Sequence, residues 1–108
     1  MPEKEAKEME AVANNKNFST IPNSNSEFCV YTYKAEYETV NQIQRPGFFN
    51  PAYSFVNPGD AIRVFRFDAE KNLTNYLQFI VVKVDKTNKK VVISALNNNN
   101  LENRLIGG

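Results

Sequence analysis

The chain contains no histidine and a single cysteine, Cys29. Without histidine, any acid–base chemistry falls to carboxylates, lysine or tyrosine. A lone cysteine closes no internal disulfide and builds no cysteine-based zinc site, so reducing conditions suit the chain without being required. No phosphate-cradling loop and no metal-ligand spacing occurs, and no cofactor is expected. No run approaches the ~20 apolar residues of a membrane span. The N-terminal MPEKEAKEMEAVANN lacks the apolar core of a signal peptide, so neither export nor membrane attachment is expected. A formal net charge of +1 supplies no strong field toward nucleic acid or an anionic membrane. Asn17-Phe18-Ser19 and Asn72-Leu73-Thr74 match glycosylation acceptors, but without a secretion signal they read as chance.

What the chain does have fits one small domain. Its 108 residues are 42% hydrophobic and 23% charged, enough for a modest core and too apolar for full disorder. Three zones follow one another. Residues 1–26 are charged and then polar, with a short helix conceivable over Pro2–Glu10, where acidic residues suit the first turn. Ala6, Met9 and Ala13 give that helix only a thin apolar stripe, too little to stand alone. The stretch that follows reads as a linker with Phe18 and Ile21 as isolated anchors. Residues 27–96 hold nearly all the core. Residues 97–108 form a tail in which Leu101, Leu105 and Ile106 share one side of a helical turn, a pattern that favours docking. The asparagine run at 97–100 reads as compositional drift rather than recognition.

Within the middle zone, Phe28 to Tyr33 is aromatic and β-branched and predicts a strand. Tyr37 to Gln44 fits either one turn of helix or a short strand. Ala61 to Phe67 alternates, with Ile62 and Val64 on one face and Arg63, Phe65 and Phe67 on the other. Tyr76 to Val84 is the strongest strand, apolar on both faces, and predicts burial at the sheet centre or across two layers. A polar turn at 85–89 joins it to a returning strand at 91–96. The expected architecture is mainly β: a small antiparallel β-barrel or sandwich of about five strands with extended N- and C-terminal arms.

The most distinctive segment is Arg45 to Phe67. Two Pro-Gly turns bracket Phe48, Phe49, Pro51, Tyr53, Phe55 and Val56. Pro58-Gly59 fits the centre of a type II turn, with glycine supplying the positive φ and Asp60 bonding nearby amides as the next strand opens. A phenylalanine after a tight turn can plug the end of the barrel, but the run carries more apolar surface than one end needs, which suits an interface; both accounts hold if one ring lies inside and the other against a partner.

Candidate chemistry is thin. Asp60, Asp68, Glu36, Glu38 and Asp85 sit where solvated or turn-forming carboxylates normally occur, and catalysis is not expected. Cys29, within an aromatic strand, reads as a small buried hydrophobe. Nucleic-acid binding has a case in Lys83, Lys86, Lys89 and Lys90 around one hairpin, Arg63 and Arg66 nearby, and Tyr31, Tyr33 or Phe65 as base-stacking rings. The balanced charge and the need for those rings in a small core weigh against it.

The order of Val30-Tyr31-Thr32-Tyr33, Val40 to Ile43, Gly47-Phe48-Phe49-Asn50, Gly59-Asp60-Ala61-Ile62-Arg63-Val64, Phe79 to Val84 and Lys90 to Ser94 resembles a small β domain of tailed-bacteriophage head-associated proteins, namely capsid decoration or cement proteins and head fibres. The shared pattern is an aromatic first strand, a G-(Y/F)-F-N turn, a GD-x-I-x-V strand and a closing hairpin. It spans Phe28 to Leu96, about two thirds of the chain, and this chain adds Pro46, Pro51, Pro58 and the two arms. The resemblance implies a non-catalytic virion protein, made in the bacterial host cytoplasm, that binds the outer capsid between major capsid subunits. Neighbouring copies would be further partners, and a trimer is one arrangement such proteins adopt. Phe18, Ile21, Phe48, Phe49, Tyr53, Phe55, Leu101, Leu105 and Ile106 are the interface candidates, and Gly47, Pro58, Gly59 and Asp60 the structural turn residues. A tail, neck or head-fibre role and a nucleic-acid-binding barrel are the alternatives.

Overall fold

A computed structural model describes residues 11–21 and 28–96. Five strands form one sheet in sequential order: β1 (Phe18–Ile21), β2 (Val30–Ala35), β3 (Ala61–Phe67), β4 (Leu73–Asp85) and β5 (Lys90–Ala95). β1–β2, β3–β4 and β4–β5 pair antiparallel, whereas β2 and β3 are parallel. The protein is mainly β, as its pattern of short aromatic and β-branched runs predicts. Two details differ from the expected barrel. The sheet is open, with β1 and β5 as its two edges, and it is mixed.

Both corrections trace to the connection between β2 and β3. Parallel neighbours need a crossover long enough to run back along the sheet. Residues 36–60 make that crossover and lie over one face as α1 (Val40–Ile43) and a 3₁₀ segment (Asn50–Ser54). The ambiguous stretch from Tyr37 to Gln44 resolves as helix because Thr39 closes a capping box. Its hydroxyl accepts from Gln42 N, and the Gln42 side chain accepts from Thr39 N. One turn cannot stand alone, and Ile43, fully buried, anchors it to the sheet.

The core lies between the crossover and one sheet face. Tyr31, Tyr33, Ile62, Val64, Leu77, Phe79, Val81 and Val91 project from the strands. Ile43, Phe48, Phe49, Ala52 and Val56 meet them from above. β4 is hydrogen-bonded on both sides, as expected, but only its Leu77–Phe79–Val81 face is deeply buried.

The polar N-terminal stretch is more than a linker. Phe18 opens β1, which pairs with β2, and the ring packs on Tyr33 at 4.8 Å. Just before it, Ala13 is buried and donates its N–H to Phe48 O at 2.8 Å, while Asn14 N donates to the Tyr33 hydroxyl at 3.0 Å. The first turn over Asn15–Asn17 is 3₁₀, capped by the Asn14 side chain. The helix expected over Pro2–Glu10 and the tail at 97–108, with Leu101, Leu105 and Ile106, lie outside the described residues.

Candidate functional site: an open sheet face and an exposed edge

The two Pro-Gly sequences fold as the same device used twice. Arg45-Pro46-Gly47-Phe48 closes with a Phe48 N to Arg45 O bond of 3.1 Å, and Asn57-Pro58-Gly59-Asp60 with an Asp60 N to Asn57 O bond of 3.0 Å. Gly47 and Gly59 sit at φ +89° and +96°, the type II requirement at the third position. A Cβ on Gly59 would also collide with the Phe28 ring. The first turn points Phe48 and Phe49 into the core, where both are 1% exposed and meet edge-to-face at 4.9 Å. The expected division, one ring inside and one against a partner, is therefore corrected. Burying each side chain is worth roughly 1.5–3 kcal/mol, which is why neither stays outside.

The second turn sets Asp60, a carboxylate 1% exposed. Its Oδ1 accepts from Cys29 N at 3.0 Å and its Oδ2 from Asn57 N at 2.8 Å, tying the start of β2 to the turn that opens β3. Next in line, Cys29 itself is exposed rather than buried. Burial pushes the Tyr31 hydroxyl up to about 12, reinforced by Cys29 and Asp60; that hydroxyl donates to Phe55 O. Burial likewise raises Tyr33 to about 12 despite the opposing Asn14 N–H, and the Glu38 carboxylate that accepts its proton adds to the rise.

Other carboxylates are also spent on backbone amides. Glu38 accepts from Glu36 N and Tyr37 N, Asp68 from Glu70 N and Asn72 N, and Asp85 from Asn88 N. Hydrogen bonds from Asn88 hold the Asp85 carboxyl below its usual range. Among the described residues, no group of three or more histidine, cysteine, aspartate or glutamate side chains could hold a metal ion, and no helix could cross a membrane.

Most of the predicted interface candidates serve the domain's own core. Phe18, Tyr53 and Phe55 are half-buried against it, with Phe18 and Phe55 in ring contact at 5.2 Å. Ile21 ends β1 opposite Val30. The rings offered for base stacking are also committed, since Tyr31 and Tyr33 face inward and Phe65 packs on Tyr76 at 5.0 Å. Arg66 donates to Glu38 O and to the Asn75 side chain. Lys83, Lys86, Lys89 and Lys90 are exposed around the β4–β5 hairpin.

Two surfaces stand out among the described residues. One is the sheet face opposite the crossover. Strand register brings Val30, Ala61 and Ile80 into one row across it, Thr32, Arg63 and Gln78 into a second, and Lys34, Phe65 and Tyr76 into a third. Phe67 and Leu73 extend it, each 41% exposed, with the Lys34 ammonium 5.6 Å from the Phe67 ring centre. Val82, at a bulge in β4, and Val92 are about half exposed near the hairpin. The other surface is the outer edge of β5, where Asn50 Oδ1 accepts from Val91 N at 2.9 Å. A groove of about 470 Å³ separates that edge from the first Pro-Gly turn. Sequence reasoning missed Asn50. Its only signal was its fixed place in Gly-Phe-Phe-Asn, which did not say that the side chain reaches a strand 41 residues away. Comparison of the chain with protein-family models, with curated proteins and with solved structures finds no match.

Proposed function

We propose that this chain is a non-enzymatic structural protein of a bacteriophage virion, a cement or decoration protein that binds the outer capsid lattice and stabilises it. One observation carries the binding role. Among the described residues the five-stranded sheet is covered on one face only, and the other displays Phe65, Phe67, Tyr76, Ile80 and Val82 among a few charged and polar side chains. A face of this composition suits a partner that is itself folded and presents a matching surface. The resemblance through Gly-Phe-Phe-Asn and Gly-Asp-x-Ile supplies the virion context.

In this reading the major capsid protein is the partner. The open face seats on the lattice, and Leu101, Leu105 and Ile106 add aliphatic anchors from the tail. Ordering each arm residue costs on the order of 1–2 kcal/mol of backbone entropy, which anchor burial offsets. Many copies on one shell multiply the attachment, whether single or in a trimer. Purified virions checked by mass spectrometry test this directly. The polypeptide is expected at a fixed ratio to the major capsid protein, and its loss should lower the temperature at which the shell releases DNA. A protein absent from virions, or present without effect on shell stability, overturns the reading.

A further inference from the structure

The outer edge of β5 is the longer of the two sheet edges, and its sequence and surroundings leave it open to pairing. β1 is four residues long, whereas β5 spans six, Lys90–Ala95. β5 contains no proline, and from Val91 to Ala95 no charge, two of the devices by which proteins blunt an exposed edge. It also has a wall beside it, in the turn from Gln44 to Gly47 together with Asn50.

Hydrogen-bond parity shows which backbone groups face that wall. Leu96 N donates inward to Gln78 O of β4, while Val91 N points the other way, to Asn50 Oδ1. Alternation along an antiparallel ladder therefore turns the N–H and C=O groups of Ile93 and Ala95 outward. Asn50 fills the outward position at Val91, and the next two stand in line with it. A peptide strand laid along this edge would continue the sheet through those groups, while its alternate side chains enter the groove beside Pro46 and Ile93.

Charge selects the peptide. Lys90 and Arg45 line the groove, Lys86 and Lys89 precede Lys90 in the hairpin, where Asp85 lies opposite Lys90 and is the one carboxylate, and none of the lining residues carries a carboxylate. We propose that the β5 edge is a strand-addition site for an extended acidic peptide of a partner protein. This inference does not depend on the virion reading.

The test uses the full-length chain labelled with ¹⁵N and two synthetic eight-residue peptides, one alternating valine with glutamate and one alternating valine with lysine. The acidic peptide should shift the amide resonances of Ile93 and Ala95 and slow their hydrogen exchange; the basic one should not. Lys90→Glu should weaken the acidic peptide about threefold to tenfold, the scale of an exposed ion pair that becomes a repulsion. Ile93→Pro removes an outward donor but no ladder bond, so it should abolish the effect with the fold intact. If that variant fails to fold, a backbone N-methylated acidic peptide must lose binding instead. Equal response to both peptides, shifts confined to Phe65 and Val82, or no response overturns the proposal. So does protection of Ile93 and Ala95 that is already present without peptide, since the edge would then be taken by the chain itself or a second copy.

Discussion

The two faces of this sheet are built from adjacent residues of the same strands, yet they follow different rules. On the covered face, Tyr33, Ile62, Val64, Phe79 and Val81 are at most 1% exposed, and Tyr33 and Phe79 meet the ring of Phe49 from the crossover. On the open face, their neighbours Lys34, Arg63, Phe65 and Ile80 mix charge with apolar surface. The difference teaches where stability ends and recognition begins. A substitution on the first face should be read by melting, and one on the second by partner binding.

The sharpest break of that contrast is Phe49→Ala. The ring touches Phe48, Tyr33, Phe18 and Phe79, so truncation empties the point where crossover, N-terminal segment and sheet meet. A loss of about 3–5 kcal/mol is expected from thermal or urea denaturation. A loss under ~1 kcal/mol would mean that the crossover does not seal this face of the sheet.

Asp60→Ala comes next. It strips the acceptor from the N–H groups of Cys29 and Asn57, and about 1–3 kcal/mol should follow from the unmet donors. Asn at the same position should recover only part of this, because its amide N cannot accept from the second donor.

Much of this was legible in the sequence, and what was not has physical causes. The strands declared themselves by β-branched and aromatic runs, and Pro58-Gly59 by the only residue that accepts its φ cheaply. Strand direction was hidden. A mixed sheet and a barrel use the same alternation, and only the length and helical content of residues 36–60 distinguish a crossover from a loop. β1 was hidden because four residues rich in serine and threonine carry no pattern until Phe18 finds Tyr33. At the candidate surfaces, aromatic content pointed to Phe48, Phe49 and Phe55 as interface when the small core needed them first. The open face was visible as the Arg63–Phe65–Phe67 side of one strand, but its extent depends on register across three strands.

A smaller effect tests the polar seam within the covered face. The folded state holds the protons of Tyr31 and Tyr33 to about 12, whereas an unfolded tyrosine loses its proton near 10.0. Their contribution is complete below pH 10 and disappears as pH rises through 12, because the folded protein then retains protons that the unfolded chain has released. The melting temperature should therefore fall across that window. Tyr33→Phe should flatten the fall, and cost about 1 kcal/mol at neutral pH through the stranded Asn14 N–H.

The smallest expected change in stability carries the most functional weight. Phe67→Ser alters a ring that is 41% exposed and whose contact with Lys34 is a surface cation–π pair worth about 0.5–1 kcal/mol. The ring keeps much of its contact with water in the folded state, so the part of it that is covered adds only modestly to stability. Unfolding should shift by no more than about 1 kcal/mol. Attachment to capsid shells, measured by co-sedimentation of the purified chain with shells lacking it, should fall severalfold. If Phe67→Ser melts like Phe49→Ala, the face called open is covered after all. If it neither melts early nor weakens attachment, the contact with the shell lies elsewhere, with the β5 edge the next place to look.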